Sequence, residues 1–133
     1  MEKKLIRVRD IMRTRFEVVD RKETVRAALA KMENTRARAL IVDKKNDDDE
    51  YGILVLADIA KQVLAVDKSP DRVNVYEIMS KPVVQVAADM DIRYCARLFE
   101  RFGLERAPVV EDGKVVGIVS YHVLVLRGLM QLM

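Results

Sequence analysis

Apolar and polar positions along this chain follow one helical pattern that occurs twice. Apolar residues recur at i, i+3, i+4 and i+7, the spacing of a helix with one buried face. They are Val25, Ala28, Leu29 and Met32 in the first copy, and Ile92, Cys95, Ala96 and Phe99 in the second. Thr24 and Asp91 stand directly before these stripes and suit helix N-caps. The pattern therefore predicts two equivalent amphipathic helices.

Short apolar runs around each helix predict strands and hairpins. Strands are predicted over residues 16–19 and 83–86, ahead of the helices. Hairpins are predicted from 40–42 with 52–55, around an acidic turn, and from 108–110 with 116–119, around an Asp-Gly turn. A second helix closes each copy, over 58–66 and 122–132, and residues 67–72 form a polar linker. Each copy is thus expected to run strand, helix, strand, strand, helix.

Residue-by-residue similarity supports the duplication. Asp10-Ile11-Met12 returns in the second copy as Glu77-Ile78-Met79. The segment that begins at Arg38 matches the one that begins at Arg106. The number of positions between these two segments is one larger than the number between the two Ile-Met motifs, which implies an inserted residue. Gly52-Ile53-Leu54 returns as Gly117-Ile118-Val119 at a shorter offset, because the acidic turn of the first copy is longer. We therefore predict an α+β fold of two repeats, 1–67 and 68–133, packed about a pseudo-twofold axis with a cleft on each side.

Composition narrows the functions that such a fold can have. The formal net charge is +3, from 24 basic and 21 acidic residues, so a nucleic-acid partner is not expected. Cys95 is the single cysteine and His122 the single histidine, which offers no metal-ligand cluster and no catalytic triad. The N-terminus is charged where a signal peptide is apolar, and the longest apolar region, 115–126, is too short for a membrane span. A cytoplasmic, non-enzymatic protein is expected.

The duplicated motifs resemble a tandem pair of cystathionine β-synthase (CBS) domains, also called a Bateman module. The resemblance rests on the two Ile-Met openings, the helix starts at Thr24 and Asp91, the Arg106-Ala107-Pro108-Val109-Val110 segment, and the two Gly-Ile strands. It implies a regulatory module that binds an adenosine-containing ligand, such as AMP, ATP, S-adenosylmethionine or NAD, in the cleft between repeats. It also implies signalling to an effector protein and pairing into a homodimer.

The resemblance also implies the site residues. The family's motif places a Ser or Thr after the Gly-containing strand and an acidic residue or Asn three positions later. The first copy has Asp58 for the ribose but Val55 in the hydroxyl position, whereas the second has Ser120 but Val123 in the acid position. Arg38 and Arg106 occupy the position of phosphate-binding basic residues in some family members. The Asp58 side, helped by Arg38, is expected to be the better ligand site.

Each of these residues also has a structural interpretation. Asp58 suits a helix cap, Ser120 a half-buried strand position, and both arginines suit solvated surface charges. A ligand-free dimerisation or docking module with degenerate sites is therefore the alternative function. The nearly all-apolar last helix favours dimerisation in either case.

Overall fold

A computed structural model describes residues 4–81 and 85–133 of the 133-residue chain. The fold is mixed α+β, as predicted, and its two three-stranded sheets belong to two compact units. Residues 16–81 form the continuous unit. Residues 4–15 together with 85–133 form the split unit. Within the described part of the chain, no helix has the length and hydropathy that crossing a bilayer requires.

The continuous unit is built around a sheet with strand order β1-β2-β3. Its strands are β1 (Val18–Val19), β2 (Ala39–Val42) and β3 (Gly52–Val55); β1 pairs parallel to β2, and β3 antiparallel. Its helices are α2 (Val25–Thr35), α3 (Leu56–Ile59) with the π-helical segment Ala60–Leu64, and α4 (Val75–Ile78). The core lies between the sheet and these helices, and Val25, Leu40 and Leu54 are fully buried in it.

The split unit repeats this arrangement with strand order β4-β5-β6. Its strands are β4 (Val86–Ala87), β5 (Arg106–Glu111) and β6 (Lys114–Ser120). Its helices are α1 (Val8–Ile11), α5 (Ile92–Phe102) and the last helix, residues 121–132, which runs from α6 (Tyr121–Val123) through the π-helical segment Leu124–Leu129 to α7 (Met130–Leu132). Both predicted hairpins are present as β2-β3 and β5-β6. Residues 83 and 84 of the strand predicted over 83–86 lie outside the described residues.

The two main helices begin where the sequence predicts. The hydroxyl of Thr24 accepts a hydrogen bond from the Ala27 amide at 3.1 Å, and the carboxylate of Asp91 accepts one from the Arg93 amide at 2.9 Å. Such caps satisfy amide groups that have no partner inside a helix. Each helix has 11 residues and ends at a left-handed residue, Arg36 or Gly103. The caps thus set the same length in both copies.

Strand register corrects the alignment of the two copies. Val42 lies opposite Gly52, and Val109 lies opposite Gly117, so Val109 follows Val42 at the same offset as Ile78 follows Ile11. The predicted inserted residue does not exist. The difference in length lies in the hairpin connection, which shifts register at a bulge after Val109.

The same register changes which arginine positions are equivalent. Ala39 lies opposite Val55 on β3, and Arg106 lies opposite Ser120 on β6. Arg106 therefore corresponds to Ala39. Arg38, one residue before Ala39, corresponds to Glu105 and not to Arg106.

The opening segment of each sequence copy packs into the unit that contains the other copy's sheet. Arg13 exchanges two backbone hydrogen bonds with Ile118, at 3.0 and 2.9 Å, and Ser80 exchanges two with Ile53, at 2.9 and 2.7 Å. The compact units therefore do not coincide with the repeats 1–67 and 68–133. These bonds attach each opening segment to the edge of β6 or β3, within the unit that contains that strand.

The segment predicted as a polar linker is held to the start of α2. The amide of Val25 donates a hydrogen bond to the carbonyl oxygen of Val73 at 2.8 Å. The amide of Arg26 donates one to the carbonyl oxygen of Pro70 at 3.1 Å. The guanidinium of Arg26 also pairs with the carboxylate of Asp71. Residues 70–73 are therefore part of the continuous unit, and not a free tether.

Candidate functional site

Asp58 lies in the first turn of α3, at the third position after the Val55 N-cap. The helix begins at Leu56, two residues before the start predicted at Asp58. The Oδ2 atom of Asp58 accepts the Val55 amide at 3.2 Å, and the side chain is half-buried. The carboxylate therefore caps its own helix, and this bond fixes its orientation at the end of β3.

Ser120 is the last residue of β6 and the N-cap of the last helix. Its Oγ accepts the Val123 amide at 3.2 Å. A hydroxyl that accepts this bond keeps its own proton for donation. Helix N-termini often contain both a capping hydroxyl and an acidic residue three positions later. Each unit here has one of the two, since Val55 lacks the hydroxyl and Val123 lacks the acid.

Arg106 is the first residue of β5 and lies directly opposite Ser120 on β6. Residues directly opposite each other in an antiparallel pair project to the same face, with Cβ atoms about 4.5–5.5 Å apart. The structure therefore brings together the two predicted ligand residues of the split unit. Arg106 is half-buried, as is Ser120.

Arg38 and Asp58 have a different relation in the continuous unit. Arg38 is exposed and directly precedes β2, and it is Ala39 that lies opposite Val55. Within residues 4–81 and 85–133, no ion pair joins Arg38 to Asp58. The two predicted arginines are thus not equivalent positions of the two copies, because the register of β2 and β5 differs from the one that the sequence alignment implied.

Arg13 is a further residue on the face of the split unit's sheet that Arg106 and Ser120 share, and sequence reasoning did not place it there. It pairs with Ile118, which lies two positions before Ser120 on β6. Since alternate residues of a strand share one face, Arg13, Ser120 and Arg106 project from the same face of the split unit's sheet. The sequence signal that could have identified Arg13 is its position directly after the Ile-Met motif. It could be interpreted only once the opening segment was known to pair with β6.

The other chemically distinctive side chains have structural roles. Burial raises the pKa of the Cys95 thiol to about 12, so it stays protonated and unreactive at neutral pH. In the acidic turn, the Lys81 ammonium and the Lys45 amide hold the pKa of Asp49 well below its usual range. Among the described residues, no group of three or more His, Cys, Asp or Glu side chains could hold a metal ion.

Comparisons with known proteins agree with this architecture. The CBS domain family model matches residues 8–65 and 75–126. Hypoxic response protein 1 of Mycobacterium tuberculosis is 30% identical over 112 residues, which cover 84% of this chain and 78% of that protein. An uncharacterised protein of Methanopyrus kandleri is 38% identical over 82 residues, and the aligned part covers 61% of this chain but spans 41% of that protein.

A solved structure with the same fold is a hexameric CBS-CP12 protein from bloom-forming cyanobacteria. The TM-score is 0.88 with 32% sequence identity, over 93% of this chain and 72% of that protein.

Proposed function

The chain belongs to the CBS domain family, and on that basis we propose that it binds an adenosine-containing nucleotide and signals the bound state to an effector protein. CBS domain pairs are generally regulatory and ligand-binding, and proteins made of CBS domains alone are generally regulatory and not catalytic. The ligand class consists of AMP, ATP, S-adenosylmethionine and NAD. A cytoplasmic location and an effector on a separate polypeptide complete the proposal.

The oriented carboxylate of Asp58 carries this proposal. Its Oδ2 atom is held by the Val55 amide, so the side chain is ordered before any ligand arrives. An ionised carboxylate has about four lone-pair sites, which leaves acceptors for the two hydroxyls of a ribose. Ordering in advance lowers the entropic cost of binding. In the split unit, Ser120 and Arg106 supply a hydroxyl and a guanidinium, the groups that bind phosphate.

A thermal-shift panel with AMP, ATP, S-adenosylmethionine and NAD tests this function. A ligand at one hundred times its Kd stabilises the native state by about 2.7 kcal/mol, which raises the melting temperature measurably. Asp58→Asn keeps an oxygen that can cap Val55 but removes the charge and one acceptor. We expect this variant to weaken binding by about 1–3 kcal/mol, or roughly 10- to 100-fold.

Asp48→Asn is the matched control, because Asp48 is an exposed carboxylate in the acidic turn. This variant should bind the ligand as the parent protein does. If none of the four ligands shifts the melting temperature, nucleotide sensing is wrong for this chain. If a ligand binds equally well to Asp58→Asn, the ribose contact lies elsewhere.

The alternative function is a ligand-free dimerisation or docking module, and the last helix favours it. Val125, Leu126, Leu129 and Met130 are between 47% and 59% exposed, while Val123, Leu124 and Gly128 face the core. Four large apolar side chains on one exposed face exceed what isolated surface positions explain. We propose that a second copy of the chain covers this face, so the protein forms a homodimer with or without a ligand. The hexameric cyanobacterial relative supports self-association.

Light scattering after size exclusion tests the dimer, and we expect twice the 15.2 kDa chain mass at micromolar concentration. Leu126→Glu should shift the protein to monomers, because a charge on a buried apolar interface is strongly unfavourable. Lys61→Glu is the control, since Lys61 is the exposed counterpart of Leu126 on the corresponding helix of the continuous unit. A parent protein that is monomeric, or a Leu126→Glu variant that remains dimeric, would exclude this interface.

A further inference from the structure

The exposed face of α5 differs from the equivalent face of α2. Both helices have 11 residues and start directly after their N-caps, so they correspond position by position. Arg97 and Arg101 of α5 stand where α2 has Ala30 and Asn34. The two arginines are exposed and lie one helical turn, or about 6 Å, apart along the axis, and Tyr94 is 52% exposed on the same face. The second copy therefore presents two cations and an aromatic ring where the first has small or uncharged side chains.

The charges of these two arginines are not used within the fold. Among residues 4–81 and 85–133, no ion pair includes Arg97 or Arg101. Glu100 lies three positions after Arg97 but pairs with neither arginine. Arg93, one turn earlier, is different, because its guanidinium donates a hydrogen bond to the Lys4 carbonyl oxygen at 3.2 Å. Arginine and tyrosine are among the side chains enriched at protein interfaces, so this exposed face has the composition of a contact surface.

The acidic turn, residues 46–50, is a difference of opposite charge between the copies. The second copy has a tight Asp-Gly turn at this point of its hairpin. The Asp49 amide donates a hydrogen bond to the Asn46 carbonyl oxygen at 3.1 Å, and the Asp49 carboxylate pairs with Lys81, so the turn is ordered by its own bonds. Three further carboxylates are exposed and belong to no ion pair of the described residues: Asp47, Asp48 and Glu50.

We propose that the arginine face of α5, defined by Tyr94, Arg97 and Arg101, binds the acidic turn of a second copy of the chain. A second copy always carries the complementary charges, since each chain has both surfaces. The two surfaces differ, so the contact is heterologous and adds copies beyond the dimer proposed for the last helix. Ion pairs between exposed side chains are weak and screened by salt, so the contact forms well above micromolar concentration. It goes beyond the proposed function and does not depend on a nucleotide.

Sedimentation velocity of the full chain at low and high salt tests the contact. The Debye length is about 30 Å at 0.01 M salt and about 3 Å at 1 M. At low salt we expect an additional, heavier species that increases with protein concentration, and at high salt we expect its loss. The contact through the last helix is apolar, so salt should not weaken it, and the species that remains at high salt is the reference.

Reversal of charge on each surface identifies the residues in contact. The pair Arg97→Glu with Arg101→Glu, and the pair Asp47→Arg with Glu50→Arg, are each expected to weaken the association about 10- to 100-fold, because like charges then face each other. A variant with all four substitutions has the net charge of the parent and reverses both surfaces. It should recover most of the association.

Lys68→Glu with Arg72→Glu is the control pair, since both positions are exposed and lie outside the two surfaces. It changes the net charge as much as the arginine pair does and should associate as the parent does. Equal weakening by the control pair would mean a general effect of charge and would overturn the contact. So would the absence of a heavier species at low salt, an acidic-turn pair that associates normally, or a fourfold variant that associates no better than either pair.

Discussion

Replacing Phe99 with alanine is expected to lower the free energy of unfolding by about 3–5 kcal/mol. Phe99 is fully buried on α5 and packs in the split unit's core with Val109 and Val119. Its ring also meets the Tyr121 ring edge-to-face, with centroids 5.3 Å apart. Truncation removes the apolar contacts, the ring contact and the filled volume together. Since a domain of this size has a total stability of about 5–15 kcal/mol, the loss should be a large part of it.

Urea unfolding monitored by circular dichroism measures this effect, and the same helix provides the control. Phe102 lies on the following turn of α5 but is 42% exposed. Phe102→Ala should change the unfolding free energy by about 0.5 kcal/mol or less, as surface substitutions usually do. If the two alanine variants have similar stability, Phe99 is not a core residue and the packing of α5 described above is wrong.

Gly117→Ala is expected to destabilise the protein by roughly 1–3 kcal/mol, whereas Gly52→Ala should cost much less. A Cβ atom at Gly117 would lie 2.9 Å from the Arg13 carbonyl oxygen and 2.7 Å from Met12 Sδ. That carbonyl is held by its hydrogen bond with the Ile118 amide, so it cannot move away without breaking the pairing. At Gly52 the nearest atom is Met79 Sδ, also at 2.7 Å. A methionine side chain adjusts easily.

Double variants distinguish a side-chain obstacle from a backbone obstacle. Met79→Ala removes the nearest atom at Gly52 and leaves the Val42 Cβ at 3.3 Å, so Gly52→Ala should cost little further in that background. Met12→Ala leaves the Arg13 carbonyl in place, so it should not rescue Gly117→Ala. Urea midpoints for the two pairs, each relative to its single methionine variant, give the comparison. Equal rescue in both pairs would show that no backbone carbonyl lies against Gly117.

In each unit the methionine of an Ile-Met motif from one sequence copy lies against the glycine of a Gly-Ile motif from the other copy. The sequence showed both motifs but not that they touch, and it did not show that Met12 belongs with Gly117 and Met79 with Gly52. Local spacing cannot reveal this pairing, because the partners of each pair lie far apart along the chain. Whether the methionine of an Ile-Met motif contacts a given glycine depends on which strand, β3 or β6, the opening segment pairs with.

The candidate site was predicted in part. The motif comparison identified Asp58 and Ser120 as the polar residues near the helix starts. Ser120 is the N-cap of the last helix, whereas Asp58 lies in the first turn of α3, three positions after the N-cap. The alignment of Arg38 with Arg106 was wrong. The residues around the two arginines are similar, but the strand register shows that Arg106 is equivalent to Ala39, one position later. Arg13 was missed because its neighbours on the sheet come from the other sequence copy.

The sequence by itself determined the duplication, the helices that begin after Thr24 and Asp91, and the two hairpins, because helix caps, apolar periodicity and turn residues act over a few positions. Only the tertiary structure decided which opening segment completes which sheet, and thereby which arginines share a face with Ser120. Hydrogen bonding along a free strand edge is the same for many sequences. The choice between edges therefore depends on close packing, such as a methionine lying over a glycine, that arises only after the sheets form.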